Sequence, residues 1–312
     1  MSNTIEKALK RKQQQEQLKQ QESAQNSSPD VEAAVEATPV ESKVHTEEST
    51  TEAPITEPKS SVSTTSLNTL EIDLVDLEDR GFVSVSSSRK VINEEFREIK
   101  RKLLQTAFGP ISKTLNNPNI IMVTSARPSE GKTFTAVNLA ISIAAEQDKT
   151  VLLVDADVLR PNVLRTIKCK AENGLMEYLL GEVDDLSDVI LKTNIDKLRI
   201  IPAGKSHHLS TELLASSKMS ETINEFSTRY SDRIVIIDTP PIIGINESAV
   251  LANFAGQAVV VCEEGRASLA DVRNAVMRLN EDIAVGFVVN KSIQQDSDGA
   301  GYYGYYYSSE RD

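Results

Sequence analysis

Tryptophan is absent from this 312-residue chain, and aromatic residues make up only 4% of it. Any core must therefore be built mainly from Val, Ile, Leu and Ala. Cysteine is almost absent as well. Cys169 and Cys262 stand far apart with no CxxC spacing, which excludes a disulfide framework or a zinc ribbon and reads as two isolated, reduced thiols. His45, His207 and His208 form no ligand pattern with them. No window holds 18 apolar residues, so no transmembrane helix is expected. The opening "MSNTIEKALKRKQQQ" lacks the apolar stretch of a secretory leader. A concentrated basic face is missing too, which argues against nucleic acid as a partner.

What is missing from the first eighty residues sets them apart. Residues 1–80 contain no glycine, no aromatic residue and no cysteine. Residues 22–80 carry fourteen Asp and Glu against Lys43, Lys59 and Arg80, a net charge of −11 out of −12 for the whole chain. Such a segment buries too little apolar area to offset the entropy of ordering, so residues 22–80 are expected to be a disordered acidic linker. Residues 1–21 are basic and rich in helix formers, with Ile5 and Leu9 on related turns. They predict a short N-terminal helix.

Globular composition begins at Gly81 and Phe82. "INEEFREIKRKLLQTAF" (92–108) places Phe96, Ile99, Leu103 and Leu104 at helical spacing. Beyond it, short apolar runs alternate with helical patterns. "NIIMVT" (119–124), "TVLLVD" (150–155), "LRIIPA" (198–203), "RIVIID" (233–238), "QAVVVC" (257–262) and "AVGFVV" (284–289) predict strands. Residues 133–147, 211–230 and 269–279 predict helices, the last opened by a capping-box-like Ser268 and Asp271. Strands apolar throughout, alternating with helices, imply a doubly wound, mostly parallel α/β sheet covered on both faces. Residues 81–296 are expected to form this domain, and residues 297–312 a flexible tail.

Three motifs carry chemistry. "VTSARPSEGKTFT" (123–135) lies between a predicted strand and a predicted helix, and Gly131-Lys132-Thr133 closes it like a P-loop. Backbone N–H groups at a helix start face phosphates, and the helix dipole favours their charge. Ala126 stands where the first glycine of GxxxxGK[ST] belongs. Ser129, Glu130, Gly131, Lys132, Thr133 and Phe134 are the expected ATP-binding residues. In "VLLVDADVLRP" (151–161), Asp155 and Asp157 end an apolar strand, where open α/β sheets build their sites. In "IVIIDTPP" (234–241), Asp238 ends another, the usual place for a Mg²⁺-holding carboxylate of P-loop enzymes. Asn290, after the last strand, reads either as a contact to the adenine edge or as a turn residue.

The remaining concentration is at the C-terminus. Tyr302, Tyr303, Tyr305, Tyr306 and Tyr307 are five of only seven tyrosines, set among glycines and serines in "GYYGYYYSSERD". "GAGYYG" (299–304) fits G-x-G-x-x-G but neither follows a first strand nor opens a helix. HRD and DFG sequences, the marks of eukaryotic-type kinases, are missing. Tyr178 and Tyr230 fall in predicted helices and read as core-edge rings.

The P-loop, the paired aspartates, IDTPP and the tyrosine cluster together resemble the bacterial tyrosine kinases of polysaccharide-export systems over residues 90–312. "TIEKAL", "EEFREIKRKLL", "GKTFTAVNLA", "VDADVLRP" and "TELLAS" are similar to the stand-alone autokinases associated with exosortase-type (PEP-CTERM) exopolysaccharide loci. The resemblance implies ATP- and Mg²⁺-dependent autophosphorylation of the five tail tyrosines in trans, in the service of exopolysaccharide synthesis or export. It maps Walker A′ onto Asp155 and Asp157 and Walker B onto Asp238. With Lys132 these form the expected catalytic set, and Thr133, Asp155 and Asp238 the expected metal set. An oligomerisation motif, ExxRxxR, maps onto Glu94, Arg97 and Lys100, with lysine in the last place. Leu159 stands where the wider family often has arginine after DxDx, and Arg160 follows one place later. The implied partners are other copies of the chain and a membrane-anchored polysaccharide chain-length regulator as activator. The implied location is cytoplasmic, with recruitment to the inner membrane face by a partner. Asp157 is the expected acceptor of the phenol proton, with Asp155 able to exchange roles. The alternative is a non-kinase P-loop ATPase switch of the division or partition type. Such loops read KGGxGKT, whereas Arg127-Pro128-Ser129-Glu130 precede the GKT here.

Overall fold

A computed structural model describes residues 69–84 and 90–292. The expected N-terminal helix (1–21), most of the expected linker and the tail with its five tyrosines lie outside the described residues.

Eight strands, β1 (Thr69–Leu70), β2 (Ile120–Ser125), β3 (Thr150–Asp155), β4 (Leu191–Thr193), β5 (Leu198–Ile201), β6 (Arg233–Asp238), β7 (Gln257–Glu263) and β8 (Ala284–Asn290), form one sheet among the described residues. Their order is β1-β4-β5-β3-β6-β2-β7-β8, and β4–β5 is the antiparallel pair among otherwise parallel neighbours. Among the described residues nine α-helices accompany them: α1 (Leu74–Asp79), α2 (Val91–Phe108), α3 (Lys132–Ala144), α4 (Val163–Thr166), α5 (Leu175–Leu180), α6 (Ser210–Leu214), α7 (Ser217–Thr228), α8 (Asn246–Ala252) and α9 (Leu269–Val276). The doubly wound α/β fold expected from the sequence is the fold observed.

The central strands read as unbroken apolar runs because both of their faces are covered. Successive side chains point to opposite sides of a strand. In β2, Ile120 and Met122 join one core layer, and Ile121 and Val123 the other. β3, β6 and β7 divide in the same way, Leu152 from Leu153 and Ile236 from Ile237. One layer is closed by α5 through α9, and the other by α1 through α4. α3 has twelve of its thirteen residues buried, which fixes the helix that carries Lys132 and Thr133 at its start.

α2 packs on the outer side of α3, and Lys100 is the bolt between them. Its ammonium is buried, donating to Ser142 O at 2.9 Å and pairing with Glu146 at 2.6 Å. The trio expected at an oligomer surface therefore divides. Glu94 and Arg97 pair with each other on the exposed face, while Lys100 is committed within its own chain.

The linker boundary expected at residue 80 is too late. Residues 69–83 are part of the domain. β1 pairs with β4, Asp73 caps α1 by accepting from Val75 N and Asp76 N, and Leu70, Ile72, Leu77, Phe82 and Val83 are buried. Averaged acidity over the whole segment hid this apolar spacing. The acids here are largely partnered, Asp76 by Arg80 and Lys168, and Glu78 by Lys90. The helix expected over 211–230 is also two helices. Ser216 breaks it by capping α7, accepting from Met219 N while donating to Leu213 O.

Phe82 packs on Phe134, ring centroids 4.7 Å apart, and Phe134 in turn meets the edge of Phe96 at 6.3 Å. This cluster ties the segment before α2 to the first turn of α3. Phe82→Ala should lower unfolding stability by about 3–5 kcal/mol in urea titration. A loss below about 1 kcal/mol would show that residues 69–84 are not held by it.

Candidate active site

Three neighbouring strands deliver the three motifs to one place. β3, β6 and β2 are adjacent, and Asp155 and Asp238 are register partners at the ends of β3 and β6. The loop from β2 to α3 rises beside them. This is the C-terminal edge of a parallel sheet, between strands whose crossovers run in opposite directions, where such folds hold ligands.

The loop is built to one shape. Ser129 and Gly131 both have left-handed backbones, φ 71° and 101°. A Cβ at Gly131 would lie 1.9 Å from Asn290 Nδ2, so the position admits glycine alone. Glu130, read as a nucleotide contact, turns its side chain inward instead. One of its carboxylate oxygens accepts from Arg127 N at 2.7 Å, and the other is buried without a hydrogen-bond partner. From outside, Asn290 Nδ2 donates to Glu130 O at 2.9 Å and Lys291 Nζ to Ser129 O at 2.8 Å. Asn290 is the last residue of β8 and a brace on the loop, and its amide nitrogen is committed there. The Phe134 ring belongs to the packing described above, which leaves its backbone to face a ligand.

Charge is concentrated around Lys132. Its ammonium lies 2.7 Å from Asp157 Oδ2, 3.6 Å from Asp238 Oδ1 and 3.4 Å from Thr133 Oγ1. Thr133 Oγ1 donates to Asp238 Oδ2 at 2.7 Å. Asp155 is held by backbone donors, Asp157 N on one oxygen and Asn162 N and Val163 N on the other. Asp157 Oδ1 accepts from Arg160 N at 3.0 Å. Burial alone would lower the Lys132 pKa, but the charges of Asp238, Asp157 and Asp155 outweigh it and hold it above its ordinary value. Burial pushes the Asp155 carboxyl up to about 7, with the Asp238 charge adding to the rise. It pushes Asp238 up to about 6, against the pull of Lys132 and Thr133. One cation thus faces three carboxylates.

That imbalance fits a hard divalent cation. Asp238 Oδ1 is buried without a hydrogen-bond partner, and the donors nearby are all oxygen. Among the described residues no three acidic, histidine or cysteine side chains converge into a complete metal cage. Mg²⁺ sites commonly use one or two protein ligands and take the rest from phosphate and water. Thr133, Asp155 and Asp238 are the residues that would hold it.

Sequence reasoning missed the latch on the loop. Arg127 donates to both Asp271 oxygens at 2.9 Å. Ser268 caps α9 through Asp271 N and also donates to the Asp271 carboxylate. The signal was the capping pattern itself, since an aspartate at that helix start is well placed to take a further donor. The hydrogen bonds from Arg127 and then Ser268 hold Asp271 down at about 2. In Arg127→Ala, Asp271 should titrate closer to the ordinary ~3.9 by NMR. A folded pKa below the unfolded one contributes stability above about pH 4 that disappears as pH falls through the folded value. The variant should therefore lose less stability between about pH 4 and 2 than the parent, and an unmoved Asp271 would show that Arg127 does not hold it.

Comparison with known proteins agrees with this geometry. Residues 118–283 match the family model described as an AAA domain. The chain is 28% identical over 228 residues to the tyrosine-protein kinase YwqD of Bacillus subtilis, covering 72% of this chain and 92% of that one. It is 33% identical over 175 residues to the tyrosine-protein kinase CpsD of Streptococcus agalactiae, covering 55% and 74%. The tyrosine-protein kinase wzc of Salmonella typhimurium is 32% identical over 189 residues, but the match spans only 26% of its length. Among solved structures, the kinase domain of the Escherichia coli tyrosine kinase ETK superposes with a TM-score of 0.62 at 27% identity, covering 73% of this chain and 90% of that one. No helix among the described residues is long and apolar enough to cross a membrane. With its P-loop, its carboxylate pair and its sheet order, the chain belongs to the bacterial tyrosine-protein kinases.

Proposed function

We propose that this chain transfers the γ-phosphoryl group of ATP to the tyrosines of its own C-terminal cluster, Tyr302, Tyr303, Tyr305, Tyr306 and Tyr307, in another copy of itself. The observation that carries the reading is the placement of Lys132, Thr133, Asp155, Asp157 and Asp238 around one point at the end of β2, β3 and β6.

The loop amides and Lys132 bind the β- and γ-phosphates. Thr133, Asp155 and Asp238 would hold Mg²⁺, which would supply positive charge against those phosphates. A phosphate oxygen that draws Lys132 away from Asp157 leaves that carboxylate oxygen free. A bond then forms between the phenol oxygen and the γ-phosphorus as the bond to the β,γ-bridging oxygen breaks. ADP leaves with that electron pair, and the phenolic proton passes to Asp157. Asp155 is the poorer acceptor, because backbone donors engage both of its oxygens. The transition state is loose, so positioning and charge do most of the work.

Partners follow from the same reading. A membrane-anchored chain-length regulator activates the kinase and recruits it to the inner membrane face, and phosphorylation tunes exopolysaccharide synthesis or export. The rival reading, a switch ATPase, draws no support from the loop. Arg127, at the place of that family's lysine, is spent on Asp271 within the chain.

Lys132→Met should reduce phosphotyrosine on the tail by about 10²-fold or more, the scale of removing one electrostatic contact at a reacting phosphate. Mixing a variant with all five tail tyrosines replaced by Phe with Lys132→Met protein should restore labelling on the latter, read by mass spectrometry. Label that persists in Lys132→Met alone would sink the assignment. Label absent from the mixture, with the parent active, would sink transfer between copies.

A further inference from the structure

At the opposite ends of the strands from the catalytic cluster, four cations surround a small hollow. They come from β4, β5, the end of α7 and the start of β6. Asp238 ends β6 at the catalytic edge, and Arg233 begins it at the other. The hollow has a volume of about 260 Å³. Buried Leu186 and Phe226, with half-buried Ile190, make its base apolar. Tyr230 stands exposed at its side. Among the lining residues Lys192, Arg199, Arg229 and Arg233 face Glu225 alone, an excess of three positive charges. Asp185 and Asp232 lie outside the lining, and Asp185 is engaged in accepting from Ser187 N at 2.8 Å.

Strand register brings two of these cations together. Lys192 and Arg199 are opposite each other in the antiparallel β4–β5 pair, so both side chains leave the same face. One Arg199 nitrogen donates to Asp196 O at 2.8 Å and to Leu198 O at 3.1 Å. Its other N–H groups, and the Lys192 ammonium, have no partner among the described residues. Arg233 lies over the Tyr230 ring, 3.9 Å from the centroid, and Arg229 is 5.7 Å from it. No carboxylate forms an ion pair with Arg233 among the described residues. Burial pulls its pKa below the ordinary value, and an anion brought alongside would relieve that penalty. Arg229 pairs with Glu225 at an exposed site, where such a pair contributes little. Exchanging Glu225 for a stronger anion therefore costs little.

We propose that this hollow is a phosphotyrosine-binding site, and that its occupant is a phosphorylated tail tyrosine of a second copy of the chain. The proposal rests on the kinase reading above, which supplies the phosphotyrosine. The volume is just below the usual range of small-ligand cavities and suits a single side chain. The apolar base takes the ring, and the guanidinium groups meet the phosphate with paired N–H donors. One phosphotyrosine brings about −1.5 to −2 charges, which the local excess offsets. Phosphoserine would leave the apolar base unfilled, and a flat lipid surface would not enter it. Distance favours the second copy. From β8 to β5 is five strand spacings, roughly 24 Å. The hollow is also a strand length away from Asn290, roughly another 20 Å. The straight path between them runs through the sheet, so the route over the surface is longer. Tyr302 is ten residues beyond Ser292, about 34 Å of fully extended chain. The first tyrosines of the same chain would reach the hollow only when stretched taut, and another copy meets no such limit. A kinase so equipped binds its own product, and each phosphorylated copy becomes a ligand for the next.

The test uses full-length protein carrying Lys132→Met and Phe at all five tail positions, so that it neither transfers phosphate nor offers a tail of its own. The probes are synthetic peptides of residues 298–312. One has phosphate on Tyr305, one has none, and one has phosphoserine in that place. Binding is read by fluorescence anisotropy. The phosphotyrosine peptide should bind about tenfold more tightly than either of the others, or better. Arg199→Ala with Arg233→Ala should remove that preference. So should Lys192→Glu with Arg229→Glu, at exposed positions where the fold is not at stake. Unchanged binding in both double variants overturns the site, and equal binding of the phosphoserine peptide overturns its specificity for an aryl phosphate. Adsorption to phosphatidylglycerol vesicles that is lost in the same variants gives the patch to a membrane and overturns it as well. With phosphorylated parent protein as competitor, displacement of the peptide from the host should grow with competitor concentration. A parent whose own hollow is closed to the peptide at every dilution, without displacing it from the host, gives the site to its own tail and overturns the second copy. Because the phosphopeptide is synthetic, failure of the parent to label its tail would overturn the kinase reading and leave the binding result standing.

Discussion

One ammonium group organises this protein. Lys132 sits at the first turn of a helix that is buried along nearly its whole length, and it faces carboxylates from the ends of two adjacent parallel strands. Without that cation the strand ends would bring buried like charges together with little to offset them. With it, a sheet edge that would otherwise repel itself becomes a place where phosphate and a divalent cation are both welcome. The upward displacement of the Asp155 and Asp238 carboxyls measures the residual imbalance. A ligand that brings positive charge relieves it.

The scaffold keeps that cluster in register by backbone means. Asp155 and Asp238 face each other because β3 and β6 pair residue for residue along their length. The loop keeps its shape because β8, α9 and its own Glu130 grip it from three sides. α2 is bolted to α3 by Lys100, so the cover over the catalytic helix is part of the same rigid layer. An arrangement of this kind suits phosphoryl transfer, where placement of charge contributes more than covalent chemistry.

Much of this was legible in the residues. Apolar hexapeptides ending in aspartate, such as "TVLLVD" and "RIVIID", announce strands covered on both faces with chemistry at one end, and both ran to their expected limits. Glycine-lysine-threonine between a strand and a helix told where phosphates go. Other features depend on partners remote in sequence. Leu70, Ile72 and Leu77 looked like scattered hydrophobes in an acidic tract, since their burial comes from β4 and the layer around α3. Asn290 gave no sign of its role, because its partner in the loop is 160 residues away. Glu177 carried no signal of its own, because one of its partners, Lys205 N, lies 28 residues away.

The grip of β8 on the P-loop has a consequence of its own. Asn290 and Lys291 close the last strand, and Tyr302 follows eleven residues later. The brace on the loop and the proposed acceptors therefore lie close together along the chain. Shortening the chain from its C-terminus removes the proposed phosphate acceptors first, and only at residue 291 does it reach the side chains that brace the loop. Loss of the tyrosines and loss of the fold are thus separable by a handful of residues. A lineage could discard its own acceptor and keep a working phosphotransferase for some other protein's hydroxyl group.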